Sequence, residues 1–177
     1  MLKKNIETER LILVPSEDDR DLAIYKAHLE SCDPEEFLFQ YGEERSEEFM
    51  ELIDFHSAPV DYYTVLLKNS REMVGYVGLA NPDEDGCELE FHIFGEYRRN
   101  HYAYEACTAI LKEFHEGRIM PDCGRGVVAD TVARNEACCA LLEKLGFKKQ
   151  HWGMRITLND EGELQSGLSI NHYELVA

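Results

Sequence analysis

Residues 87–116 read CELEFHIFGEYRRNHYAYEACTAILKEFHE, and this stretch decides the fold. Its first part alternates Glu88, Glu90 and His92 with Leu89, Phe91 and Ile93, the period of a strand with one apolar face. Its last part places Tyr102, Ala106, Cys107, Ile110, Leu111 and Phe114 at helical spacing. Between them lies Gly95-Glu96-Tyr97-Arg98-Arg99-Asn100-His101, with two adjacent arginines. A strand that runs through a cationic turn into a helix start is a place to hold an anion, because unpaired N–H groups and the positive end of the helix dipole point there. The turn reads as a pyrophosphate grip, and the strand beside it as the carrier of the chemistry.

On the N-terminal side, Leu11–Val14 is a short apolar run ended by Pro15 and predicts a first strand. Ser16 with Asp19 resembles a capping box, and Leu22, Tyr25 and Leu29 mark a helix after it. Asp33-Pro34-Glu35-Glu36 and Ser46 give two further helix starts. Tyr62–Leu67, Met73–Leu79 and Cys87–Phe94 predict an antiparallel meander across turns at Asn69–Glu72 and Asn81–Gly86. The helix over 102–116 separates that meander from a β-branched run, Val127–Val132, which predicts a crossover and a parallel pair. Asn135 caps a helix carrying Cys138, Leu141, Leu142 and Leu145, and Gly146 ends it. Lys149–Leu158 and Leu164–Val176 predict a closing hairpin. The fold class is therefore α/β: a mixed sheet, antiparallel in its N-terminal part, with a central parallel pair and a C-terminal hairpin.

The 177 residues predict a single domain over 1–177, with no internal repeat or linker. No apolar run approaches the ~18 residues of a membrane span, and the N-terminus lacks a signal-peptide core, so the expected location is cytoplasmic and no membrane partner is expected. A net charge of −17 argues against nucleic acid as a partner. Between Glu30 and Asp54 ten acids face one base, Arg45, which reads either as a solvated face or as an attraction for a cationic substrate. The six cysteines form no C-x-x-C pair and read as reduced, core-filling thiols; the scattered histidines predict no metal site. Whether the chain pairs into a homodimer is left open.

Four stretches together resemble the GNAT superfamily of N-acetyltransferases, and within it the ribosomal-protein N-terminal acetyltransferases. Thr8-Glu9-Arg10-Leu11 is similar to that branch's opening strand, Gly75-Tyr76-Val77-Gly78-Leu79 to its central hairpin strand, Glu88–Ala106 to its cofactor motif, and Asn135–Phe147 to its second motif. The family's phosphate loop reads Gln or Arg, two residues, Gly, one residue, then Gly or Ala. Here it is Arg98-Arg99-Asn100-His101-Tyr102-Ala103, so His101 stands in the place of a glycine, and Arg99 where a second glycine is common. Cys138 stands where the branch usually has Ser.

The resemblance implies acetyl-CoA as co-substrate, an amine-bearing acceptor and direct attack in a ternary complex; the acidic segment Glu30–Asp54, which falls where the family builds its acceptor wall, points to a cationic acceptor. Such a transfer needs a base for the amine, a donor for the developing oxyanion and a proton or charge for the leaving thiolate. Glu88 falls on the family's carboxylate position, with Glu90 and His92 on the same face if the strand is regular; the bland alternative is ordinary polar-out alternation. The resemblance places His92, Ile93 and Phe94 as backbone against the cofactor. Arg98 and Arg99 read as phosphate contacts or as solvated turn residues, with Asn100, His101, Tyr102 and Ala103 completing the loop. Asn135 is a cap that could also contact the pantetheine arm, and Cys138 either donates to the leaving thiolate or packs. The rival readings are a non-catalytic acyl-CoA-binding or interaction module built on the same fold and an acyltransferase that uses a longer acyl-CoA.

Overall fold

The structure is a computed structural model and describes residues 4–16, 26–32, 37, 61–158 and 164–175. Among the described residues eight strands form one sheet: β1 (Ile6–Glu7), β2 (Leu11–Pro15), β3 (Asp61–Leu67), β4 (Met73–Ala80), β5 (Gly86–Ile93), β6 (Gly126–Val132), β7 (Lys148–Leu158) and β8 (Leu164–Leu175). Their spatial order is β1-β2-β3-β4-β5-β6-β8-β7. Every neighbouring pair is antiparallel except β5–β6, which is parallel. This is the mixed sheet that the element order predicts. The crossover between the parallel strands is a long helix, Tyr102–His115, and a short helix, Glu136–Lys144, follows β6.

Alternation sorts the two faces of the sheet. Cys87 and Leu89 on β5 join Tyr63, Val77, Leu79, Val127, Ala129 and Tyr173 in the main core. The long helix lays Ala106, Cys107, Ile110, Leu111 and Phe114 against it, one stripe at helical spacing. Leu142 of the short helix is buried in the same cluster. On the opposite face point Glu88, Glu90 and His92, as the alternation predicts, with Tyr62, Thr64 and Tyr76 on the strands beside them. Residues 26–31 are helical, and Leu29 packs there with Phe37 and Phe94 in a second, smaller cluster. The helix starts expected at Pro34 and Ser46 and the turn at 159–162 lie outside the described residues, as do Leu22 and Tyr25.

Two details differ from the sequence reading. A short strand, β1, precedes β2, and Thr8–Arg10 is the turn between them rather than part of an opening strand. The Thr8 hydroxyl makes it so: Oγ1 accepts from Leu11 N at 2.9 Å, a local side-chain bond that competes with the ladder. The parallel contact is also short. It comprises Gly86↔Gly126, Cys87↔Val127 and Glu88↔Val128, after which β5 and β6 run on without pairing. A Cβ on Gly86 would sit 1.9 Å from the Gly126 carbonyl oxygen, so the strands meet closely at one end only because both residues there are glycine.

Candidate active site

The divergence of β5 and β6 opens toward their C-terminal ends. Each strand there passes through a turn into a helix, so two helix starts flank the opening. After β5 comes a single 3₁₀ turn, Gly95–Tyr97, and then the turn that contains Arg98–His101. Arg99 (φ 61°) and His101 (φ 63°) are both left-handed. These are the two positions where glycine is expected, so the backbone adopts the glycine-like course with other residues in place. Each left-handed residue costs on the order of 1–2 kcal/mol, and histidine accepts the region more readily than most. His101 is the N-cap residue of the long helix and gives it no side-chain cap.

The loop's side chains mostly brace it. Asn100 Nδ2 donates to the carbonyls of Tyr97 and Arg98, both at 3.1 Å. Arg98 folds back, its Nε donating to the Ile93 carbonyl at 3.0 Å, whereas Arg99 is exposed. Phe94 is corrected as an open backbone contact: its N–H donates to Val74 on β4 at 2.9 Å. Strand alternation then turns the N–H of Ile93 away from β4, toward the opening. The side chain of His92 is buried among Tyr76, Phe94 and His28, whose ring stacks on Phe94 at 3.9 Å. Burial, then the charge of Arg98 and the neighbouring His28, depress the His92 imidazole to about 3.

Glu88 sits in the last pair of the parallel ladder, half-buried, and accepts from Asn81 Nδ2 at 2.9 Å. Glu90 lies two residues nearer the opening on the same face. Tyr62 Oη donates to its carboxylate from two strands away, across Gly78. A Cβ on Gly78 would lie 1.9 Å from Tyr62 Cδ1, so this glycine is the space through which the ring reaches. Burial raises the Glu90 carboxyl above its ordinary value; the Tyr62 bond opposes that and Glu88 adds to it. Nothing local to Tyr62 in the sequence marks this contact except Gly78, since an isolated glycine inside an apolar strand signals such a close approach.

Asn135 caps the short helix as predicted, its Oδ1 accepting from Cys138 N at 3.1 Å. The Cys138 thiol packs against the main core, on the face opposite Glu88, so the two residues flank the opening from different sides. Burial pushes that thiol up, against a hydrogen bond with Thr131, and it stays protonated at neutral pH. The six cysteines are all free thiols. Among the described residues no cluster of His, Cys, Asp and Glu could hold a metal, and no helix is long and apolar enough to cross a membrane. A cavity of about 460 Å³ between Pro82–Glu84 and Met120–Cys123 lies at the other end of β5, by the turn that precedes it, away from this site.

The opening between β5 and β6, the left-handed turn and the uncapped helix start fit coenzyme A: a channel for its arm and backbone N–H groups for its pyrophosphate. Residues 10–148 match the family described as an acetyltransferase (GNAT) domain. A comparison with curated proteins finds no matching sequence. Among solved structures, a GNAT-family acetyltransferase from Bacillus anthracis is similar at a TM-score of 0.70, with 18% identity over 98% of each chain. Spermidine N-acetyltransferase from Vibrio cholerae, solved with CoA and spermine, is similar at 0.69, with 16% identity over 94% of this chain and 95% of that one. Ribosomal-protein-S5-alanine acetyltransferase from Vibrio fischeri is similar at 0.66, with 16% identity over 96% of each. The chain belongs to the GNAT acetyltransferase family, whose members use acetyl-CoA.

Proposed function

We propose that this protein is an acetyl-CoA-dependent N-acetyltransferase that acts on the primary amine of a cationic small molecule or of a peptide N-terminus. The observation that carries the reading is the splay of β5 from β6 directly after Glu88, with a second carboxylate, Glu90, on the same face. Acetyl-CoA, when bound, supplies the thioester acyl group. The Arg98–Ala103 turn holds the pyrophosphate, with backbone N–H groups at Asn100 and His101 and the cation of Arg99. The N–H of Ile93 orients the acyl arm, and Asn135 flanks it from the other side.

Glu88 receives a proton from the acceptor ammonium, directly or through water, so that the free amine can attack. The new bond joins nitrogen to the acyl carbon as the carbon–sulfur bond breaks; Cys138 is the donor proposed for the leaving thiolate, and it regains a proton, through water, from the nitrogen that becomes the amide. Burial favours Glu90 as the competing base, since a raised carboxyl is better matched to proton abstraction near neutral pH, while the Tyr62 bond holds part of that rise back. The spermidine and ribosomal-protein enzymes among the structural relatives support an amine acceptor. The acidic segment Glu30–Asp54, most of which lies outside the described residues, supports a cationic one.

The test is release of free thiol from acetyl-CoA across polyamines, aminoglycoside-like amines and basic peptides, with Glu88→Gln and Glu90→Gln as controls. Turnover on a cationic amine, lowered about 10²-fold or more by one of the two substitutions, supports the reading. CoA binding without turnover on any amine would favour the non-catalytic binding module. Neutralising Glu43, Glu44, Glu47 and Glu48 together should raise KM for the cationic acceptor; an unchanged KM at low salt would reduce that segment to a solvated face.

A further inference from the structure

The left-handed Arg99 and His101 pose a question of physical chemistry. Non-glycine residues stay in that conformation only when their surroundings hold them there. What surrounds this turn is the Thr8–Arg10 corner between β1 and β2. Arg10 Nη1 donates to the carbonyl of Asn100, the residue between the two left-handed ones, at 3.0 Å. Its Nε and Nη2 both reach Glu105 Oε2 at 2.7 Å, and its main-chain N–H reaches Oε1 at 2.8 Å. Thr8 Oγ1 donates to the same Oε1 at 2.5 Å. The guanidinium also lies over the Tyr102 ring, 4.8 Å from its centroid. Glu105 stands one turn into the long helix, its own N–H bonded to the His101 carbonyl at 3.1 Å.

We propose that Arg10 is a positioning residue for the coenzyme A pyrophosphate: it pins the Asn100 carbonyl and Glu105 together and so holds Arg99 and His101 left-handed, with the N–H groups of Asn100 and His101 turned toward the phosphates. All three nitrogens of the guanidinium are engaged by the protein, so Arg10 acts through the turn and not on the ligand. The arrangement accounts for how a loop without its glycines keeps the glycine-like path. The corner itself is anchored: Lys68 N donates to the Arg10 carbonyl at 2.8 Å and Lys68 Nζ to that of Thr8 at 3.0 Å. The inference rests on the acetyl-CoA reading above.

The experiment is calorimetric titration of the full chain with CoA. Arg10→Gln should raise Kd about tenfold or more, a loss of about 1.4 kcal/mol. Arg10→Lys should behave like Arg10→Gln, because an ammonium cannot span the carboxylate and the carbonyl together. Adding His101→Gly to Arg10→Gln should recover at least about threefold of the lost affinity, since glycine needs no clamp to be left-handed, while His101→Gly alone changes Kd less. In turnover the deficit should appear in KM for acetyl-CoA, with kcat nearly unchanged. Should Arg10→Gln fold poorly, Thr8→Val removes one bond to Glu105 and should weaken CoA in the same direction. Wild-type affinity in Arg10→Gln or Arg10→Lys, or no recovery with His101→Gly, would overturn the clamp while leaving the acetyl-transfer reading in place. A wild-type chain that does not bind CoA would overturn both.

Discussion

Tyr62 reaches across Gly78 to donate its hydroxyl to Glu90, joining β3 to β5 over the strand that lies between them. The bond and the burial act on Glu90 in opposite directions: burial favours the neutral acid, and the hydroxyl favours the carboxylate. Removing the hydroxyl in Tyr62→Phe therefore raises the Glu90 carboxyl further. If Glu90 accepts the acceptor's proton, the acid limb of kcat/KM moves to higher pH. A pH–rate profile of Tyr62→Phe beside the wild type measures this. An acid limb that stays in place assigns proton abstraction to Glu88.

Gly78→Ala should break the same bond without touching either partner. The added methyl would meet the Tyr62 ring at 1.9 Å, and the ring must leave. The expected cost is about 1–3 kcal/mol of unfolding free energy, from overpacking and the lost hydrogen bond. Urea titration reads it. The acid limb should shift in the same sense as in Tyr62→Phe.

His92 gives the fold a dependence on acid. Its folded imidazole is depressed to about 3, against an ordinary value of 6.5. A group depressed on folding contributes stability that is present above the unfolded value and lost as pH falls toward the folded one. The denaturant midpoint should thus decline from about pH 6.5 down toward 3, because the unfolded chain takes up a proton that the folded chain refuses. His92→Gln should flatten that decline between pH 7 and 4. An equal slope in both proteins would move the effect to other groups.

The cap at Asn135 offers a local measurement beside the site. Asn135→Ala removes the acceptor for Cys138 N and should cost about 1 kcal/mol, whereas Asn135→Asp should restore most of it. If Asn135 also meets the pantetheine arm, Asn135→Asp would recover stability but not CoA affinity. Thermal unfolding with and without CoA separates the two effects.

The alternation at Glu88–Ile93 and the helical stripe from Ala106 to Phe114 made both faces of the sheet legible in advance, because burial follows period 2 and period 3.6 directly. The parallel pair followed from one helix lying between two strands. What pattern could not supply were bonds made at long sequence separation. Tyr62 meets Glu90 only because β3, β4 and β5 stack in one register, and Arg10 meets Glu105 because the Thr8 turn lies beside the long helix. The missing glycine at His101 reads from sequence as a change in the site. In the structure the backbone is already left-handed there, and its cause lies some ninety residues earlier, at Arg10.

The most direct test of the central claim is a backbone amide NMR titration of the chain with CoA. The largest shifts are expected at Arg99–Ala103 and at Ile93, with smaller ones at Asn135, and little change at the Pro82–Glu84 cavity. Saturating shifts confined to other surfaces, or no shifts at millimolar CoA, would contradict it.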